Sequence, residues 1–118
     1  MQFILLIHAA EGQQHSEAEL AQMTKDYFAY TRELQAAGIM QAGAPLMPSD
    51  KGAKVTVRES KQRVVDGPFT EAKEVLGGFY MVDVPTLADA IAWAAKCPGA
   101  RHGTMEVREV REYPMPPA

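Results

Sequence analysis

The sequence predicts a single α+β domain whose antiparallel or mixed sheet carries two helices on one face. Three observations lead there. Apolar residues recur at helical spacing in two segments, and each segment lies between short runs of strand character. Two further strand runs meet at a tight polar turn and read as a hairpin. The length, 118 residues, fits one domain of ordinary size.

Residues 3–7 are a continuous apolar run, short enough for a central strand buried on both faces. His8 closes it, on the face of Ile4 and Leu6. Glu11-Gly12-Gln13-Gln14 reads as a loop. Ser16 with Glu19 is a capping box, in which hydroxyl and carboxylate each satisfy an orphan backbone N–H. In the helix that follows, Leu20, Met23, Tyr27, Tyr30, Leu34 and Ala37 form one apolar stripe. Gly38 ends it.

Residues 39–46 read as a strand, closed by Pro45, Pro48 and the Ser49-Asp50-Lys51-Gly52 turn. Lys54 to Arg58 alternates and is rich in β-branched residues; Glu59-Ser60-Lys61 turns the chain; residues 62–65 return as the second arm. Asp66-Gly67-Pro68 stops that arm. Lys73 and Glu74 lie in a segment that reads as one helical turn. In the strand over residues 76–84, Gly78, Tyr80, Val82 and Val84 share one face, and Phe79 and Met81 the other. Thr86 with Asp89 opens the second helix, with Leu87, Ala90, Ile91 and Ala94 on its apolar side, and Cys97-Pro98-Gly99 ends it. Trp93 and Cys97, four apart, read as packing. Residues 105–110 are the last strand. The domain is expected over residues 1–113, leaving a proline-rich tail at 114–118 whose prolines have no N–H to give a sheet.

This order is a ferredoxin-like split βαβ pattern with an added hairpin. The sheet's second face then has no helix to cover it. A second copy stacking its sheet there is the simplest cover, so a homodimer is expected. Apolar residues make up 47% of the chain, enough for a modest core. The net charge of −3 comes with no clustered basic face, which argues against a nucleic-acid partner. The lone Cys97 excludes an internal disulfide and a cysteine metal cluster, and fits a reducing, cytoplasmic setting. The apolar N-terminus lacks a basic leader, and no run approaches the roughly 20 residues of a membrane span. No histidine pair has zinc spacing, no acid-rich loop suggests calcium, and nucleotide-binding glycine patterns are missing, so neither metal nor cofactor is expected.

Val64-Val65-Asp66-Gly67-Pro68-Phe69-Thr70-Glu71-Ala72-Lys73-Glu74, running into Leu76-Gly77-Gly78-Phe79-Tyr80, closely resembles the signature of the DGPF type of the YCII-related family. Gly38 through Pro45, including Gly43, and Gly103 through Arg108 look like further family segments, so the resemblance spans nearly the whole chain. It implies a ferredoxin-like fold, a homodimer whose sheets form a dimeric α/β barrel, and a small-molecule cleft on each protomer. It also implies a link to extracytoplasmic-function sigma factors. Family enzymes of aromatic breakdown use a histidine–aspartate pair, with the histidine on the first helix, about three turns before its closing glycine. Here that place holds Tyr27, and a phenol with an ordinary pKa near 10 is a poor general base at neutral pH.

The candidate site residues follow from both lines. Asp66 is a candidate base at a strand end, against a plain turn role in which it accepts backbone N–H groups while Gly67 takes a positive φ. His8 is the alternative base, able to titrate near neutrality. Tyr27 and Tyr80 are candidates for orienting a substrate, against two satisfied core tyrosines. Gly78, inside a strand, marks the close approach of a ligand or of another backbone. Lys73 and Glu74 would bind an anion and hold a proton, against a solvated pair. His102 would reach a cleft edge from a loop, and His15 is expected to face solvent. The expected chemistry is cofactor-free proton transfer of the isomerase or lyase type, in a cleft lined by Tyr27, Asp66 and Tyr80. The alternative is a non-catalytic ligand-binding or regulatory module.

Overall fold

The computed structural model describes residues 1–69 and 73–117. Thr70, Glu71 and Ala72 of the motif, and Ala118, lie outside the described residues. Six strands and three helices form among those described: β1 (Gln2–Ala9), α1 (Glu17–Ala36), β2 (Met40–Pro45), β3 (Ala53–Arg58), β4 (Lys61–Asp66), β5 (Val75–Asp83), α2 (Leu87–Lys96), α3 (Gly99–His102) and β6 (Thr104–Glu109). A 3₁₀ turn, Ser49–Lys51, precedes β3.

Strands β2, β5, β1 and β6 lie side by side in that order, every neighbouring pair antiparallel. β5 inserts between β1 and β2, which is the split βαβ arrangement, and the fold is α+β and ferredoxin-like. β3 and β4 form a separate two-stranded arm. Its turn places Glu59 and Ser60 at φ 51° and 63°, the two positive values that a two-residue hairpin turn of matching twist requires. Every residue of the arm is exposed. The arm and the tail raise the radius of gyration to 16.7 Å, above the roughly 13–14 Å of a compact chain this long.

The α1 cap forms as read: Glu19 N–H donates to the Ser16 hydroxyl (3.1 Å) and Ser16 N–H to the Glu19 carboxylate (3.2 Å). Gly38, at φ 72°, takes the left-handed step that closes the helix. Thr86 caps α2 in the same manner, with Asp89 N–H donating to its hydroxyl at 3.1 Å. The core lies between the helices and one sheet face: Phe3 and Leu5 from β1, Tyr80 and Val82 from β5, Tyr30 and Leu34 from α1, Ala90 and Ala94 from α2, with Val84 and Cys97.

Three expectations need correction. Strand β1 is buried on one face only; Ile4 and Leu6 stay half-exposed because no helix crosses their side. The α1 stripe is buried only in its C-terminal half: Tyr30 and Leu34 are enclosed, whereas Leu20 is half-exposed beyond the sheet's cover. His102 belongs to the helical turn α3, not a loop, because the chain resumes helical geometry directly after Pro98. Among the described residues no helix is long and apolar enough to cross a membrane.

Candidate active site

Alternation along β1 places His8 on the helix-free face, with Ile4 and Leu6. On the neighbouring edge strand β6, Thr104 stands opposite His8 and Glu106 opposite Leu6, so all four share that face. His8 Nε2 meets a Glu106 carboxylate oxygen at 3.0 Å. The Glu106 carboxylate also lies 3.9 Å from the Arg108 guanidinium. Thr104 donates its hydroxyl to Glu74 at 2.8 Å. His8 and Glu74 are thus held by two consecutive same-face residues of one strand.

These two residues line a cavity of about 550 Å³, within the range of small-molecule pockets. One wall is the end of β1 with Glu74, Val75 and Leu76. The second is Leu46, Met47, Pro48 and Ser49, and the third is the base of the arm, Lys51 to Lys54, with Phe69. The strand register slips between Ile7 and His8, where Gly77 is the extra residue of β5. The bulge lies where His8 and Leu76 enter the pocket wall.

The outer wall is fastened through Ser49. Its N–H donates to Glu11 at 2.7 Å, its hydroxyl bonds the same carboxylate, and Phe69 N–H donates to that hydroxyl at 3.2 Å. These bonds hold the Glu11 carboxyl below its ordinary pKa, chiefly through the Ser49 hydroxyl. Gly67 N–H donates to the Gly52 carbonyl at 2.9 Å. A Cβ on Gly67 would collide with the Ser49 carbonyl oxygen. Gly67 is not at positive φ, which corrects the expected turn geometry: glycine is needed there for space. The Lys54 ammonium lies over the Phe69 ring, 4.5 Å from its centroid.

The remaining candidates lie elsewhere. Tyr27 and Tyr80 both belong to the core on the opposite, helix-covered side of the sheet. Tyr80 is 8% exposed, shares its hydroxyl with Thr31 at 2.9 Å, and packs edge-on against Tyr30 with centroids 5.3 Å apart. Burial pushes the Tyr27 hydroxyl up to about 12, with Cys97 and Tyr80 adding to the shift. A phenol so shifted is a poorer base still at neutral pH. The space over Gly78 is taken by the backbone of β2, with the Ala44 carbonyl oxygen 3.0 Å from where a Cβ would stand. The close approach is therefore by a strand. Asp66 is exposed at the end of β4, paired with Ala53 of the pocket wall, and no hydrogen bond to its carboxylate is found among the described residues. Lys73 is exposed on a bend that enters β5; the expected helical turn is not formed at Lys73 and Glu74. Tyr27, Asp66 and Tyr80 are therefore not gathered in one cleft. The cavity instead adds Lys51, Lys54 and Phe69 to His8 and Glu74, with Glu106 behind His8. Only the even spacing of Thr104, Glu106 and Arg108 on a strand hinted at that support.

A family model of the YCII-related domain matches residues 1–114. An uncharacterized protein of Rhizobium meliloti (strain 1021) is 33% identical over 100 residues, which is 83% of this chain and 81% of that protein. Among solved structures, 5-chloro-2-hydroxyhydroquinone dehydrochlorinase from Burkholderia phenoliruptrix AC1100, in complex with 2,5-dihydroxybenzoquinone, is similar over 96% of each chain. Its TM-score is 0.57 and its sequence identity 16%, a likeness of fold.

Proposed function

The chain belongs to the YCII-related family, and from that premise we propose that it binds a compact small molecule beside His8 and moves a proton on it. The observation that carries this reading is the His8–Glu106 pair at the wall of the cavity. With its Nε2–H donated to Glu106, the imidazole keeps its Nδ1 lone pair for a substrate proton. The carboxylate then faces the imidazolium that results. The electron pair left on the substrate either shifts so that the proton returns at another atom, an isomerisation, or expels a group from the adjacent atom, an elimination. A neighbour of the same fold named a dehydrochlorinase agrees with the second outcome. Glu74, anchored by Thr104, is placed to hold a substrate hydroxyl. Asp66 keeps its strand-end role.

A homodimer completes this picture. Ile4, Leu6, Phe79 and Met81 lie half-exposed on the helix-free face, and a second sheet stacked there would give the family's dimeric barrel. The pocket would then open at the edge of that interface.

The reading is tested by thermal shift with small hydroxyquinones, 2,5-dihydroxybenzoquinone among them, and with small acids and lactones, followed by turnover assays on any binder. His8→Asn is expected to lower turnover by roughly 10²- to 10⁴-fold, and Asp66→Asn to leave ligand response unchanged. Full activity in His8→Asn would overturn it.

A second reading is a non-catalytic ligand-binding or regulatory module acting through a protein partner such as an extracytoplasmic-function sigma factor. One observation favours it: Val55, Val57 and Val64 lie exposed on the projecting arm. A pull-down under cellular conditions that recovers no partner counts against it.

A further inference from the structure

From the base of the arm, Lys51 and Lys54 line the cavity that Glu74 and His8 line from the sheet side. Among the described lining residues, two lysines face one carboxylate, that of Glu74. Glu74 is already engaged by the Thr104 hydroxyl, 2.8 Å away. Between the charged walls lie Leu46, Met47, Phe69, Val75 and Leu76, an apolar waist.

Lys54 is not a freely waving surface cation. Its ammonium is seated 4.5 Å over the centre of the Phe69 ring, whose face carries partial negative charge. Phe69 is in turn held by its N–H on the Ser49 hydroxyl, and Ser49 by Glu11. The Asp66-Gly67-Pro68-Phe69 turn packs so tightly on Ser49 that Gly67 has no room for a side chain. That turn is thereby a mount: it fixes a ring, and the ring seats the Lys54 ammonium.

Resting on the reading of this cavity as the ligand site, we infer that Lys51 and Lys54 are its anion-binding pole. The occupant is a compact monoanion, a carboxylate or phenolate on an apolar, ring-sized body. The anionic group lies toward the arm and the reacting atom toward His8. Phe69 is a positioning residue for Lys54. Lys73, on the bend beyond the cavity, is outside this pole.

The test is calorimetric titration with benzoate and 2-hydroxybenzoate against their neutral amides. It uses the full chain, its Lys51→Met/Lys54→Met double variant, and Leu76→Trp, which places bulk on the cavity wall. The acids are expected to bind at least about tenfold more tightly than the amides. The double variant is expected to lose at least that factor for the acids, about 1.4 kcal/mol, with amide binding and the thermal melt unchanged. Phe69→Leu is expected to weaken acid binding by a smaller factor. Equal affinity for acids and amides, or acid binding unchanged in the double variant, would overturn the anionic pole while leaving the pocket standing. Acid binding undiminished by Leu76→Trp, or no binding by any of the probes, would remove the pocket itself and this inference with it.

Discussion

The Ser49 carbonyl oxygen occupies the place where a side chain on Gly67 would have to stand. Two turns far apart in sequence are thus locked backbone to backbone, with Glu11 bonding one of them from the β1–α1 loop. Gly67→Ala is expected to cost about 1–3 kcal/mol, the range for forcing extra volume into a packed site. It should also loosen the pocket wall that carries Lys51 and Lys54. Thermal denaturation checks the first effect. Ligand affinity measured well below the melting transition checks the second.

That contact also marks where sequence reading stops. Local chemistry was legible: the Ser16–Glu19 cap and the alternation of Gly78, Tyr80 and Val82 stand as read, and the hairpin turn is one residue shorter than read, because Lys61 already pairs with Arg58 in β4. Each depends on residues close along the chain. The need for glycine at 67 was legible, but its reason was not, because the Ser49 carbonyl arrives from another turn. The site was harder still. His8 and Glu106 are 98 positions apart, and their meeting depends on β6 settling antiparallel beside β1. Tyr27 and Tyr80 looked equally suited to a cleft, since a half-apolar phenol fits a core and a pocket alike.

Glu106 is expected to act through His8, orienting the ring without touching substrate. With side-chain exposures of 28% for His8 and 44% for Glu106, the pair is screened, so the effect should be moderate. Glu106→Gln is expected to lower kcat by roughly tenfold to a hundredfold, the scale on which a histidine loses its orienting partner. KM should stay nearly unchanged. His8→Asn should cost roughly 10²- to 10⁴-fold, the usual contribution of a general base. Steady-state kinetics on a substrate found by the ligand screen separate the two. An equal rise in KM for Glu106→Gln would mean that it binds substrate directly.

Tyr27 is expected to matter for alkaline stability and not for turnover. Burial lets the folded protein keep this proton up to about pH 12. The unfolded chain releases it near the ordinary tyrosine value of about 10. Across that window unfolding therefore releases a proton, and stability falls as pH rises. Tyr30 and Tyr80 are shifted in the same direction, first by burial, and add to the loss. Tyr27→Phe should make the melting temperature fall less steeply between about pH 10 and pH 12, while activity at neutral pH is retained. Tyrosinate absorbance followed in parallel should lose one of its late-ionising components.

The helix-free sheet face gives the last expectation. Leu6 stands directly across from Phe79 on β5 and Glu106 on β6, near the centre of that face. An interface of ordinary size hides roughly 800 Å² on each partner, and an uncovered four-stranded face offers an area of that order. The protein should therefore sediment as a dimer at micromolar concentration. Leu6→Glu, which puts a carboxylate where two sheets would stack, should sediment as a monomer with an unchanged circular-dichroism spectrum. Ligand affinity in that monomer then distinguishes two arrangements. If affinity holds, each protomer builds its pocket alone from the three walls described. If it falls by more than about tenfold, about 1.4 kcal/mol, the second sheet closes the side of the cavity nearest His8. A wild-type chain that remains monomeric at micromolar concentration would remove the dimer and leave the apolar face needing another cover.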